Sequence, residues 1–257
     1  MAYKRIGVVG STGRLGREVT RALVDEGFDV VPFSRQDTTV AGIRTQTITS
    51  FVGFDVIIST VGHAAIPDQI HLIDQAKREG VKCFVPAEFG MDHRFSNEKL
   101  SDPKRRVAEA LQRAEFPDGW TSIAAGFFDA VLPALVSIDK TNATITLRGT
   151  GKKQYPFVRR YDLGRALAET FREPQKYKDQ WLLVAGDWKS LHEIASLVQA
   201  RSSTPLEVHR LPTEPRTMFL HIFETEGGNV FERENQSSFP FELAKVEDFV
   251  GESLEIP

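Results

Sequence analysis

Hydrophobic positions in the first half of the chain alternate between two rhythms. Short, β-branched apolar runs occupy Arg5–Val9, Asp29–Phe33, residues 55–60, residues 82–86 and Thr121–Ala125. Between them, apolar side chains recur at helical spacing. Leu15, Val19, Ala22 and Leu23 make one stripe, Ile70, Ile73 and Ala76 a second, and Val107, Ala110, Leu111 and Ala114 a third. Unbroken apolar runs suit strands covered on both faces, and single stripes suit helices that cover them. The alternation predicts an α/β protein with a Rossmann-like, doubly wound parallel sheet. One stretch breaks the rhythm. Residues 36–53 offer only a weak strand at 45–48 and little helix, so a trimmed third βα unit is expected there.

The second half is less regular. Residues 143–148 read as a strand, followed by a turn-rich stretch at 149–153. Asp162 reads as the N-cap of a helix through Phe171, closed by Glu173-Pro174. Residues 181–185 read as a buried strand and 190–201 as a helix capped by Ser190. From residue 205 onward a strand, a helix around 217–226, a Gly227-Gly228 turn and a short final helix are expected. Residues 1–126 are assigned to the sheet domain, with strand 181–185 returning to it. Residues 127–257 are assigned mostly to a smaller C-terminal lobe that holds substrate.

The end of the first run carries the first candidate chemistry. Ile6-Gly7-Val8-Val9 leads directly into Gly10-Ser11-Thr12-Gly13-Arg14-Leu15-Gly16 and then a helix. In that setting Gly10 permits the tight turn, Gly13 lets backbone amides approach a pyrophosphate, and Gly16 lets helix and strand pack closely. The helix start adds free N–H groups and a partial positive charge. Thr12, Arg14 and Leu15 belong to the same cradle. A glycine-rich turn that binds nothing is the plainer alternative. The second run ends at Phe33-Ser34-Arg35, where an acid would accept both adenosine ribose hydroxyls. Arg35 there can stack on adenine and grip a 2′-phosphate as a fork, with Arg14 within reach of the same group. NADP(H) is therefore expected over NAD(H), against the alternative of a solvated loop arginine.

Composition narrows the field further. The chain has 257 residues, a formal net charge of −3 and one cysteine, Cys83. There is no bulk basic charge for nucleic acid, no disulfide framework and no apolar run of membrane-spanning length. The histidines lack metal-ligand spacing, so no metal is expected. With the first strand starting at Arg5, a cytosolic protein without a secretory leader is expected.

Several segments together resemble the atypical short-chain dehydrogenase group that includes isoflavone reductase-like enzymes and NmrA-like proteins. They are Asp55-Val-Ile-Ile-Ser-Thr-Val-Gly62, Phe84-Val-Pro-Ala-Glu-Phe-Gly90, Gly126-Phe127-Phe128, Tyr161-Asp162-Leu-Gly-Arg-Ala166 and Trp181-Leu-Leu-Val-Ala-Gly186. The resemblance implies that Thr60, Val61 and Gly62 border the nicotinamide side of the cofactor, with Ala87 and Phe89 beside them. Ala87 departs from the serine that relatives often carry, and the segment after the second strand is shorter than in the reductases. No tyrosine has lysine four residues later. The resemblance instead implies a catalytic lysine at the start of the helix before the sixth strand. Allowing two extra residues in the 116–119 loop, that lysine is Lys104.

Lys104 follows Ser101-Asp102-Pro103, which reads as a helix start with proline in its first turn. Such a lysine can exchange a proton or fix the nicotinamide ribose as a permanent ammonium. The alternative is one more solvated base in a Lys-Arg-Arg run. Met91, Phe127, Phe128, Met218 and Phe219 are candidates for an apolar substrate cavity, though each taken alone reads more readily as core than as pocket. His63 and Asp92-His93 are secondary candidates. Three functions fit the residues. One is an NADPH-dependent reductase of an aromatic or largely apolar small molecule. The second is an NmrA-like regulator that senses the dinucleotide and docks on a protein partner. The third is a cyclase or isomerase on the same fold. A small-molecule substrate and at most self-pairing as a homodimer are the expected partners of the enzyme.

Overall fold

The apolar runs of the first half form strands in the computed structural model, which describes residues 2–90, 92, 94, 102–213, 233 and 236–256. In chain order come β1 (Arg5–Val9), α1 (Arg14–Asp25), β2 (Asp29–Phe33), the short β3 (Thr39–Val40) and β4 (Ile43–Arg44), and β5 (Val56–Ser59). Then follow α2 (Gln69–Arg78), β6 (Cys83–Val85), α3 (Asp102–Ala114), β7 (Thr121–Ala125) and β8 (Phe127–Phe128). The rest comprises α4 (Leu132–Leu135), β9 (Val136–Asp139), β10 (Thr144–Arg148), β11 (Gln154–Val158), α5 (Arg160–Arg172) and β12 (Gln180–Val184). Last are β13 (Asp187–Ser190), α6 (Leu191–Arg201), β14 (Glu207–Leu211) and the helix α7 (Val246–Leu254).

Two compact units divide the chain. The first contains Met1–Phe89, Ser96–Ala124 and Arg160–Leu182; the second contains Gly90–Phe95, Ala125–Arg159 and Leu183–Pro257. The segment Arg160–Leu182 thus belongs to the first unit, although the sequence reading placed 160–172 in the second lobe. The reason is packing on α1. Tyr161 donates its hydroxyl hydrogen to the Asp25 carboxylate at 2.8 Å, and Arg172 pairs with Glu26 at 2.5 Å. The same contacts correct the helix start. Helix α5 begins at Arg160, two residues before Asp162, which sits buried in the first turn and pairs with Arg165 rather than capping the end.

The sheet of the first unit runs β2-β1-β5-β6, all parallel. A bridge from Phe84 to Trp120 extends it toward β7, which pairs with β12. Chain order reverses between β1 and β5, the switch point of a doubly wound sheet. Helix α1 packs against α5, and α2 against α3, which the right-handed crossover rule would put on opposite faces of the sheet. The trimmed unit is visible in detail. Its strand is reduced to a single parallel bridge, Phe33 to Gln46, and no helix follows. Phe51 and Phe54 take the helix's place, their rings 5.7 and 5.5 Å from that of Phe33. Glu79 holds this loop by accepting the Phe51 N–H and, at 3.1 Å, the Ser50 hydroxyl.

The second unit contains two small mixed sheets, β14-β10-β9 and β13-β11-β8. Strands β8, β9, β11 and β13 were not anticipated. Strand β11 carries Pro156 and β13 is largely polar, so neither shows an apolar run. Each forms because the other supplies an antiparallel partner, Pro156 opposite Trp188. The expected helix at 217–226 and the Gly227-Gly228 turn lie outside the described residues.

Candidate functional site

The glycine turn lies at the switch point. Gly10 adopts φ +79°, a conformation that side-chain-bearing residues rarely take, and turns the chain out of β1. Gly16 is the close-approach position: a Cβ there would lie 2.3 Å from the Gly10 carbonyl oxygen and 2.6 Å from Thr60 Oγ1. Gly13 is the N-cap of α1, donates its N–H to the Gly10 carbonyl at 2.9 Å and is exposed. No side chain caps this helix and its first turn holds no acid. Its leading N–H groups, those of Arg14, Leu15 and Gly16, therefore remain available to an anion.

The walls of the turn are fixed by hydrogen bonds. Ser11 donates to the Phe33 carbonyl at 3.0 Å, and the Thr12 and Ser34 hydroxyls share a bond of 3.2 Å. Thr60 donates its hydroxyl hydrogen to the Val9 carbonyl at 2.9 Å. Two guanidiniums hold carbonyls that face away from the amides: Arg17 that of Thr12 and Arg160 that of Arg14, each at 3.0 Å. Arg14 and Arg35 are exposed and form no ion pair among the described residues. The nearest acid beyond β2, Asp37, is engaged by Arg44 through two bonds of 2.8 and 2.6 Å. That pairing holds the Asp37 carboxyl below the ordinary range, chiefly through the Arg44 hydrogen bonds. The end of β2 thus presents cationic side chains and no unengaged carboxylate. These residues fit a dinucleotide pyrophosphate and a ribose phosphate.

At the ends of β5 and β6 lies the second part of the site. Thr60 is buried, Val61 half-buried, and Gly62 exposed, with nothing within 4 Å of where its Cβ would stand. His63 is exposed in the short turn that follows. After β6 the chain makes a tight turn in which Glu88 donates its N–H to the Pro86 carbonyl at 2.8 Å. Ala87, lacking the hydroxyl, donates its N–H to the Gln69 side-chain oxygen at 2.7 Å. Phe89 is buried with φ +22°, a strained conformation for an aromatic residue.

Lys104 sits in the first turn of α3, as expected, but is not a solvated base. Its Nζ donates to the Glu88 carbonyl at 2.6 Å and to Glu88 Oε1 at 3.1 Å. Side-chain exposure is 17% for Lys104 and 4% for Glu88. An ammonium at a helix N-terminus meets the positive end of the macrodipole, and the Glu88 carboxylate offsets that cost. Glu88 and Gln69 are the members of this site that the sequence reading did not single out. Glu88 lay inside the quoted Phe84–Gly90 stretch and was the only acid there, which was the available signal. Gln69 gave none.

The apolar candidates fare differently. In the second unit Phe127 is buried against Tyr155 and Phe157, with ring separations of 5.5 and 5.7 Å, so it is core rather than pocket. Phe128 beside it is half-buried. Met91, Met218, Phe219 and His93 lie outside the described residues. Asp92 is buried and paired with Arg94. Among the described residues no three His, Cys, Asp or Glu side chains are grouped to hold a metal, and no helix is long and apolar enough to cross a membrane.

Comparison with known proteins gives the family and the fold. The profile of the NmrA-like family matches residues 48–239. Oxidoreductase aprR of Aspergillus flavus is 28% identical over 229 residues, covering 80% of this chain and 77% of that protein. Phenylcoumaran benzylic ether reductase PT1 of Pinus taeda is 26% identical over 242 residues, covering 82% and 79%. Leucoanthocyanidin reductase of Vitis vinifera, solved with NADPH, superposes with a TM-score of 0.80 at 19% identity, covering 97% of this chain and 99% of that one.

Proposed function

Because this chain belongs to the NmrA-like family, we propose that it is an NADPH-dependent reductase of an aromatic or largely apolar small molecule. The observation that carries the reading is Lys104. A reductase needs a proton donor beside the reacting carbon, and a mostly buried lysine held at this turn can serve as one. Two of the ammonium's three hydrogens are committed to Glu88, and the third has no partner among the described residues.

The glycine turn and α1 would hold the pyrophosphate, Arg35 and Arg14 the 2′-phosphate, and Thr60–Gly62 with Ala87 and Phe89 the nicotinamide end. Bound NADPH supplies hydride to a conjugated C=C, an ether-bearing carbon or a carbonyl. Lys104 gives a proton to the oxygen or carbon that gains electrons and regains one from solvent. The relatives' names support this class: aprR is an oxidoreductase, and PT1 is a phenylcoumaran benzylic ether reductase.

A panel of phenylpropanoid, quinone and polyketide acceptors, followed at the nicotinamide absorbance, tests the proposal. Turnover of at least one acceptor is expected. Lys104→Ala should lower it about 10²–10⁴-fold, the usual contribution of a positioned acid or base. Lys104→Arg should not restore it, since guanidinium keeps its proton near neutral pH. NADPH binding without turnover of any acceptor would overturn the reductase reading in favour of a dinucleotide-sensing regulator.

A further inference from the structure

Glu88 does more than neutralise a neighbour. Its main-chain carbonyl and its carboxylate take hydrogens from the same ammonium, at 2.6 and 3.1 Å, so Lys104 Nζ is fixed at two points on one residue. The backbone from which that grip extends is itself tied down by hydrogen bonds. The backbone on one side is held by the Glu88 N–H to the Pro86 carbonyl and the Ala87 N–H to Gln69, whose own amide donates to the Ile66 carbonyl at 3.2 Å. On the other side stands Phe89 at φ +22°, a conformation kept only where surroundings over-determine it. Stability alone does not account for the pair, because a well-packed apolar pair at a buried site is commonly as stable or more so. What the two-point contact adds is a defined direction for the ammonium.

We infer that Glu88 is the positioning residue of Lys104, holding two ammonium hydrogens so that the third is the one presented to substrate. The inference rests on the reductase reading for its consequence but not for its geometry. In the reaction the third N–H bond breaks, its proton passes to the substrate atom that gains electrons, and the neutral amine stays bonded to the Glu88 carbonyl and carboxylate. A proton from solvent then restores the ammonium. In this role residue 88 acts on the reaction through Lys104.

Glu88→Gln keeps the size of the side chain and an acceptor oxygen while removing the charge. It should lower kcat about tenfold or more, with the KM for NADPH nearly unchanged. In a Lys104→Ala background the same change should cost nothing further, because nothing remains to be positioned. A second measurement needs no turnover. Acetic anhydride labelling, read by peptide mass spectrometry, should modify Lys104 more slowly than the exposed Lys140, and Glu88→Gln should narrow that gap. Glu88→Gln that leaves both kcat and Lys104 labelling unaltered would overturn the inference. So would an equal loss of kcat with Lys104 already removed, or labelling of Lys104 as fast as Lys140 in the unmutated protein. If the protein turns over no acceptor, the reductase reading falls alone and labelling still decides the role of Glu88.

Discussion

At the end of β2 a single side chain carries the proposed choice between two cofactors. Arg35 is exposed and free of ion pairs among the described residues, and Asp37 is occupied by Arg44. A guanidinium–phosphate fork is worth about 1.5–3 kcal/mol, or roughly ten- to hundredfold in affinity. Arg35→Glu is therefore expected to weaken NADPH binding by that factor and to leave NADH nearly unchanged, as read by fluorescence titration. Equal affinity of the unmutated protein for the two cofactors would contradict the assignment. Cys83 illustrates the opposite case, a reactive group made inert by its setting. Burial, with Asp118 and Asp179 adding to it, pushes its thiol up to about 12, so the neutral form prevails at physiological pH.

Among the elements, helix ends were the most legible in the sequence where a side chain signals them. Ser190 accepts the Glu193 N–H at 3.2 Å while Glu193 accepts the Ser190 N–H at 2.7 Å, a complete capping box at the start of α6. Loss of an N-cap hydroxyl costs about 0.5–2 kcal/mol. Ser190→Ala should lower the urea midpoint by a corresponding amount without altering NADPH binding, which is proposed to lie in the first unit. An unchanged midpoint would mean that α6 is held by its buried apolar face alone. Helix α5 shows the limit of such signals. Its start was set by contacts with α1, which extend it two residues beyond the expected Asp162 cap.

The strands of the first unit converge, at the edge opposite the glycine turn, on one carboxylate. Asp55 accepts the N–H groups of Lys4 and Arg5 at 2.8 and 3.0 Å and pairs with Lys82 at 2.7 Å, tying the starts of β1, β5 and β6 together. Desolvation pulls its pKa upward, but the bonds from Lys82, Lys4 and Arg5 outweigh that and leave it below the ordinary aspartate value. A carboxylate depressed in the folded state contributes stability that is present above its unfolded pKa and is lost as pH falls through the folded value. Urea midpoints measured from about pH 7 down to about pH 2 should therefore show Asp55→Asn less stable than the unmutated protein at neutral pH, the gap closing below about pH 4. A gap that persists undiminished at the acid end would show that the loss comes from packing and not from charge.

Residue order alone determined the parallel sheet, the position of each of its strands to within a residue or two, and the glycine turn. Those features are written in local patterns, namely β-branched runs, helical stripes and a Gly-x-x-Gly-x-x-Gly spacing between them. Lys104 was reached through family resemblance rather than through its own neighbourhood. Only the tertiary structure decided that Lys104 is gripped by Glu88, that Phe51 and Phe54 stand in for a missing helix, and that Arg160–Leu182 belongs with α1. It also decided that Phe127 packs against Tyr155 and Phe157 as core. Each of these depends on side chains far apart in the chain meeting across a packed interior. Their residue types are ordinary at their own positions and acquire meaning only from the partner that folding brings to them.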